Sequence, residues 1–166
     1  IRCVSIEHKL GIHGSPTCVM AFGDGPGAVG YLVGQPHRGL EYMFIMMNLA
    51  RFSVGLEGVG ISDRAYQRAV AYARERVQGG VPIIEHQSVK SRLFKMYTKV
   101  EAARAIARRV AVYNAGGMPQ VATSIAAKTF VTQTCFEVAS DALQIYGGNG
   151  LSREYPMEKL LRDARA

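Results

Sequence analysis

The sequence predicts a mainly α-helical protein, an antiparallel up-and-down helical bundle preceded by a short β segment. Three observations lead to this fold class. After residue 40, small and apolar residues recur at spacings of three and four over long stretches. Glycine pairs form short links between these stretches, and short links between long helices make the neighbours antiparallel. The first 39 residues lack the helical period and are rich in glycine.

Residues 1–39 are expected to form the end of a β domain. Short apolar runs at residues 18–22 and 28–33 are typical of strands, and the glycine-rich residues 23–27 separate them. Two strands are not stable alone in water, so the segment should pack against another part of the protein. The remainder, residues 40–166, is assigned to a helical domain.

The first helix is predicted from about Leu40 to about Val77. It contains Gly55, Gly58 and Gly60, each of which costs a helix interior up to about 1 kcal/mol. Glycines that are kept in a helix allow another backbone or a ligand to approach closely. Close helix packing is the favoured explanation here, and ligand approach is the alternative.

The second helix has the clearest pattern, an apolar stripe in which spacings of four and three alternate. Such a heptad stripe requires facing helices to cover it. The stripe consists of Val89, Leu93, Met96, Val100, Ala103, Ala107 and Val110. The glycine pair at residues 116 and 117, together with Pro119, should end this helix and begin the next.

The third helix is predicted from about Gln120 to Tyr146, and a glycine-rich turn at residues 147–150 should end it. Its apolar stripe consists of Ala127, Val131, Cys135, Val138, Ala142 and Ile145. Pro156 suits the first turn of a short fourth helix that reaches about Arg165. Because this helix is much shorter than the others, we expect it to be truncated.

The charge balance favours a small anionic ligand. The formal net charge is +7, from 20 lysines and arginines against 13 acids, which favours anionic partners. Tryptophan is absent and the basic residues fall on several helix faces, so nucleic-acid binding is the poorer explanation. One or two arginines that bind a diphosphate fit better. The most apolar stretch, residues 40–50, is too short to cross a bilayer, and no membrane span is expected.

The cysteines and the common catalytic motifs give little information about function. Cys3, Cys18 and Cys135 are odd in number, widely spaced and without a CxxC pair. They predict neither a zinc site nor a disulfide framework, and they favour a reducing compartment, the cytoplasm. No phosphate loop, HExxH or GxSxG motif is present, and we predict no metal site.

The carboxyl-terminal third of the chain carries a long and specific string. It reads QIYGGNG at residues 144–150, followed by EYPMEKLLRDAR at residues 154–165. This string closely resembles the carboxyl-terminal signature of the acyl-CoA dehydrogenase family. Further segments at the family's spacing are residues 9–18, residues 72–78, Pro82-Ile83 and His86-Gln87. The resemblance covers essentially the whole chain.

The resemblance implies a flavin enzyme of fatty acid metabolism that removes hydrogens from Cα and Cβ of an acyl-CoA thioester. A glutamate takes the Cα proton, FAD accepts the hydride, and an electron-transfer acceptor reoxidises the flavin. The resemblance also implies a homo-oligomer, a dimer or tetramer, in which the neighbouring subunit holds part of the flavin's ADP. By the match, the flavin nucleotide contacts Arg76, Gln87, Gln144, Gly147 and Gly148, while Asn48 and Arg51 lie on the acyl-CoA side.

Two departures from the family pattern stand out. Gly79-Gly80 replaces the usual Phe-Gly, which suggests a loop of unusual length and weakens the flavin site locally. Most members place the catalytic glutamate soon after the Arg-Asp-Ala stretch, beyond Ala166 in this numbering, and a minority place it where this chain has Ala50. We therefore expect no catalytic base in these residues and no dehydrogenase activity from them alone. Glu57 is expected to have a solvated or packing role.

Two other readings remain open. One is a helical oligomerisation module that kept the fold and lost the chemistry, which a glutamate after Ala166 would contradict. The other is a relative of the acyl-CoA oxidase type, in which reduced flavin passes its electrons to oxygen and hydrogen peroxide is released.

Overall fold

The computed structural model describes residues 1–117 and 120–166. It confirms the mainly α-helical prediction, because four helices follow a short β segment. The elements, in chain order, are β1 (Arg2–Ile6), β2 (Cys18–Ala21), α1 (Gly39–Glu75), β3 (Val77–Gln78), β4 (Val81–Pro82), α2 (Gln87–Ala115), α3 (Val121–Tyr146) and α4 (Met157–Arg165). Single 3-10 turns lie at Ile83–Glu85 and Gly147–Leu151.

The predicted helix boundaries agree closely with the observed ones. The first helix ends at Glu75 rather than Val77, because the next two residues pair in a small hairpin. The second helix ends with Gly116 as its C-cap, as the glycine pair predicts. Pro119, the other predicted boundary residue, lies outside the described residues.

Small residues allow α1 and α3 to pack closely. The buried face of α1 consists of Gly55, Gly58, Ser62, Ala65, Ala69 and Ala73. A Cβ added at Gly58 would lie 2.9 Å from Cγ1 of Val131, which is too close for a real contact. Close helix packing is therefore the correct explanation for Gly58, whereas a Cβ at Gly60 would meet nothing within 4 Å.

The predicted apolar stripes form the core. Every predicted stripe residue of α3 is buried, and so is every one of α2 except the half-buried Val89. Three ion pairs on the outside of this core connect neighbouring helices, namely Arg92 with Asp141, Lys99 with Glu137, and Arg104 with Asp63. The helical periodicity thus identified the buried surface correctly, since it records which residues share one face of a helix.

The β segment differs from its prediction. β1 and β2 pair antiparallel, with Cys3 opposite Met20 and a bulge between Cys3 and Ser5. The predicted strand at residues 18–22 is present as Cys18–Ala21, but the one predicted at residues 28–33 is wrong. A strand exists only where another strand completes its hydrogen bonds, and residues 28–33 pair with none among the described residues. The assignment of residues 1–39 to a separate domain stays a prediction.

The loop after β1 packs on the carboxyl-terminal end of α4. The Ile12 amide donates to Oδ1 of Asp163 at 2.8 Å, and Nη1 of Arg162 donates to the Leu10 carbonyl at 2.8 Å. A Cβ at Gly11 would lie 2.5 Å from the Arg162 carbonyl oxygen, so only glycine fits there. The segment therefore packs against another part of the protein, as two isolated strands require.

The first part of α1 is apolar and largely exposed. Its large exposed side chains include Leu40, Phe44, Met46 and Leu49. By length and composition alone α1 could cross a membrane: an 18-residue window has mean hydropathy 1.3, and 11% of that window is buried. The expectation of no membrane span therefore stays a prediction.

Candidate functional site

The ends of three helices meet around a groove of about 490 Å³. Its walls come from the end of α1, the first turns of α2 and the end of α3 with the glycine turn that follows. The volume lies within the range of about 300–1,000 Å³ that small-molecule sites occupy. We take this groove as the candidate site because residues predicted to contact the flavin nucleotide line it.

A tight hairpin shapes the groove next to Arg76. β3 and β4 are joined by Gly79 and Gly80, whose φ angles are +62° and +83°. Left-handed backbone at both central residues is the type I′ turn, which glycine adopts without strain. The Ile83 amide donates to the Arg76 carbonyl at 2.8 Å and closes the hairpin. The two glycines thus make a two-residue turn, and the expectation of a loop of unusual length stays a prediction.

The glycine turn after α3 presents bare backbone to the groove. Gly147 has φ +57°, a left-handed conformation that side chains disfavour. A Cβ at Gly147 or Gly148 would meet no atom within 4 Å, so the space above both residues is open. Gly150 has a different role, because a Cβ there would lie 2.5 Å from the Leu143 carbonyl oxygen. The first two glycines leave room for a ligand, and the last one permits the turn to pack.

Tyrosines and an asparagine hold this turn in place. The Asn149 side-chain amide donates to the hydroxyls of Tyr72 at 3.0 Å and Tyr155 at 3.4 Å. The Tyr72 and Tyr146 rings stack with centroids 3.9 Å apart, and the Tyr146 hydroxyl donates to the Arg68 carbonyl at 3.2 Å. Burial raises the pKa of Tyr146, so its hydroxyl stays protonated as the donor. The turn is therefore tied to α1 through side chains.

The electrostatics of the groove favour an anion. Two arginines, Arg76 and Arg92, line it, and no carboxylate is found among its described lining residues. The first turn of α2 also contributes Ser88 and Val89, and no side chain caps that helix start. Unpaired backbone N–H groups and the helix dipole make such a start positive. The groove therefore suits a phosphate group.

Polar side chains supply further hydrogen-bonding groups. Gln78 and Gln144 line the groove, and each amide can donate and accept. The described lining residues include no acid, cysteine or histidine. The arrangement is suited to bind and orient a polar ligand.

Four of the five residues predicted for the flavin nucleotide meet in this groove. Arg76, Gln144, Gly147 and Gly148 all line it. Gln87 begins α2 next to the lining residue Ser88 but does not itself line the groove. The role of each in binding a nucleotide stays a prediction.

Sequence reasoning missed several lining residues, notably Tyr72, Ser88, Arg92 and Asn149. The sequence contained part of the information needed to find them. Ser88 and Arg92 are four residues apart and therefore share one face of α2. Helix spacing alone does not reveal that this face meets the end of α3.

The predicted acyl-CoA residues lie elsewhere on α1. Nη1 of Arg51 donates to Oδ1 of Asn48 at 2.6 Å, so the two side chains are together and partly buried. The 25 positions from Arg51 to Arg76 correspond to about 38 Å along a helix. The Asn48–Arg51 pair and the groove are therefore separate sites within one chain.

The end of α4 borders two further depressions, of about 250 and 650 Å³, that Glu57 and Asp163 share. Burial alone would raise the pKa of Asp163, but hydrogen bonds from the Ile12 amide and Lys159 lower it below its ordinary value. Glu57 is exposed and makes no side-chain hydrogen bond or ion pair within residues 1–117 and 120–166, which agrees with the expected solvated role.

The comparisons with known proteins agree with this picture. Residues 37–166 match the model of the family described as the acyl-CoA dehydrogenase C-terminal domain. The chain is 42% identical to the 3-methylmercaptopropionyl-CoA dehydrogenase of Ruegeria pomeroyi, with 99% of this chain and 31% of that protein aligned.

Solved structures show the same fold. Butyryl-CoA dehydrogenase from Megasphaera elsdenii matches with a TM-score of 0.90 and 31% identity, over 97% of this chain and 42% of that one. A chain from the work on the electron transferring flavoprotein of Acidaminococcus fermentans matches with a TM-score of 0.92 and 32% identity, over 99% and 43%. The chain thus spans less than half the length of these relatives. Since the family match covers most of its residues, the chain belongs to the acyl-CoA dehydrogenase family, whose C-terminal domain it carries.

Proposed function

We propose that this chain is the carboxyl-terminal part of a FAD-dependent acyl-CoA dehydrogenase and that its groove binds the nucleotide end of FAD. The observation that carries the proposal is the meeting of Arg76, Gln144 and the bare Gly147-Gly148 backbone in one groove without a lining carboxylate among the described residues. The relatives that share this fold include enzymes named as dehydrogenases of butyryl-CoA and 3-methylmercaptopropionyl-CoA.

The residues present fit a dinucleotide. A diphosphate needs positive charge and N–H donors, which two arginines and the start of α2 supply. Open glycine backbone lets a ring or ribose approach closely, and the Gln144 amide can bond its polar edge. The rings of Tyr72 and Tyr146 stack within this wall.

The bound flavin would supply the hydride acceptor for oxidation between Cα and Cβ of an acyl-CoA. The residues of this chain would hold and orient the flavin and the acyl-CoA. Asn48 fixes the guanidinium of Arg51 on the acyl-CoA side, where a positive group favours an anionic or polarised carbonyl region. We propose that the base is a glutamate outside these residues, because Ala50 carries no acid and Glu57 is solvated.

The distance between the two sites supports a homo-oligomer, a dimer or tetramer. About 38 Å of helix separates Arg51 from Arg76, so the groove of one protomer and its own acyl-CoA site would serve different parts of the assembly. In our proposal the groove binds the ADP portion of a flavin held mainly by the neighbouring subunit. The exposed apolar start of α1 would be covered in the complete assembly.

The remaining partners follow from the family and from one structural neighbour. The structure that names an electron transferring flavoprotein contains a chain of this fold, which supports an electron-transfer acceptor as the oxidant of the reduced flavin. We also propose a cytoplasmic enzyme without a membrane span or nucleic-acid partner. Hydrogen peroxide formed in air instead of electron transfer would favour the oxidase alternative.

The proposal is tested with the full-length protein. We expect it to copurify with FAD and to reduce an artificial electron acceptor when acyl-CoA is added. Arg76→Gln should lower FAD affinity by at least about tenfold, since a hydrogen bond to a charged group contributes roughly 1.5–3 kcal/mol. Arg109→Gln is the matched control, because Arg109 lies near the other end of α2 from the groove, where its Nε donates to the Tyr113 hydroxyl. Wild-type protein that neither binds FAD nor oxidises any acyl-CoA would refute the proposed function.

A further inference from the structure

Arg92 lines the groove, although it lies outside every motif that carries the family resemblance. It lies one turn after Ser88 on α2, and both residues line the groove. Its ionic partner Asp141 lies on α3 one turn before the lining residues Gln144 and Ile145. The guanidinium is therefore held at the point where α2 and α3 form the groove wall.

The donors of Arg92 are only partly used. Nη1 donates to Oδ1 of Asp141, while Nε and Nη2 have no partner within residues 1–117 and 120–166. Nε–H and Nη2–H form one parallel edge of the guanidinium, the edge that matches two oxygens of a phosphate. Asp141 thus fixes one end of the group and leaves the other end able to bind an anion.

The ion pair between Arg92 and Asp141 contributes little to the stability of the fold. The side chains of Arg92 and Asp141 are 42% and 24% exposed, and pairs this accessible to water stabilise a fold weakly. Arg76 and Arg92 are the only charged side chains among the described lining residues. Two arginines in one groove complement the two negative charges of a diphosphate, whereas a sugar or a flavin ring carries no negative charge for them to bind.

We propose that Arg92 is a second phosphate-binding residue, which together with Arg76 makes the groove select a dinucleotide diphosphate over a flavin without one. This inference rests on the proposed function, and it adds a residue and a source of specificity to the same groove. Asp141 acts as the positioning residue, since it holds the guanidinium by Nη1.

The experiment measures binding of FAD, ADP and riboflavin to the full-length protein freed of flavin. Arg92→Gln should weaken FAD and ADP binding about tenfold and leave riboflavin binding unchanged, because riboflavin has no phosphate. Arg92→Lys keeps the charge and loses the paired donors, so it should lie between wild type and Arg92→Gln. Arg109→Gln should bind all three like the wild type.

Asp141→Asn separates phosphate binding from bracing of the helices, because it removes the charge of the ion pair but keeps an Oδ1 that can still accept from Nη1 of Arg92 and position it. Its ADP affinity should stay within about threefold of wild type. Loss of ADP affinity as large as that of Arg92→Gln would overturn the proposal in favour of bracing, and unchanged ADP binding by Arg92→Gln would overturn it outright. If Arg76→Gln weakens ADP binding while Arg92→Gln does not, only this inference fails. If neither changes it, the groove is not the nucleotide site.

Discussion

Gly150 offers a sharp test of how the glycine turn is built. In Gly150→Ala the added Cβ would lie 2.5 Å from the Leu143 carbonyl oxygen, 3.0 Å from Leu143 Cγ and 3.2 Å from Tyr146 Cβ. The φ of Gly150 is not in the left-handed region, so the effect is steric and not one of backbone strain. The nearest atom belongs to the backbone of α3, so the turn itself must move.

Overpacking of this kind costs roughly 1–3 kcal/mol, and the backbone contact places Gly150→Ala near the upper end. A loss of about 3 kcal/mol corresponds to a fall in Tm of roughly 6–12 °C for a protein of this size. Thermal unfolding in the absence of flavin measures it. The matched variant is Gly148→Ala, whose Cβ meets nothing within 4 Å, and it should leave Tm nearly unchanged while hindering a ligand.

The moved turn carries Gly147 and Gly148, so Gly150→Ala should also weaken FAD binding in the full-length protein. The two variants then differ in a defined way: one loses stability and affinity together, and the other loses affinity alone. Equal Tm values for Gly150→Ala and the wild type would refute the reasoning, because a contact of 2.5 Å cannot be accommodated without rearrangement.

Two further predictions concern the helical core and the end of α4. Gly58→Ala should destabilise the protein by about 1 kcal/mol or more, since its Cβ would lie 2.9 Å from Val131 Cγ1, whereas Gly60→Ala should stabilise it by up to about 1 kcal/mol. Urea unfolding midpoints check both signs, and equal shifts for the two variants would contradict the packing argument. For Asp163 the folded pKa lies below the unfolded value, so its contribution to stability is present at neutral pH and is lost as the pH falls through the folded pKa. Asp163→Asn should be less stable than wild type at pH 7, with a gap that narrows below about pH 4; a gap independent of pH would refute it.

The sequence by itself determined the helices and the faces they bury. The predicted stripe of α3 is buried at every position, and the end of α2 at Gly116 agrees with the glycine pair. Helical structure depends on hydrogen bonds between residues four apart, so both the element and its buried face are local properties of the chain. The glycine turn that ends α3 was also predictable from the sequence, because the end of a helix depends on the residues next to it.

Only the tertiary structure decided which strands exist and which residues share the groove. Residues 28–33 have strand composition but no strand to pair with among the described residues, and a strand depends on partners distant in sequence. Arg92 joined the groove because α2 packs beside the end of α3, while Arg51 stayed about 38 Å away along α1. Composition supplies charges and glycines, but the packing of three helices places them together, because a binding site is a property of distances in space.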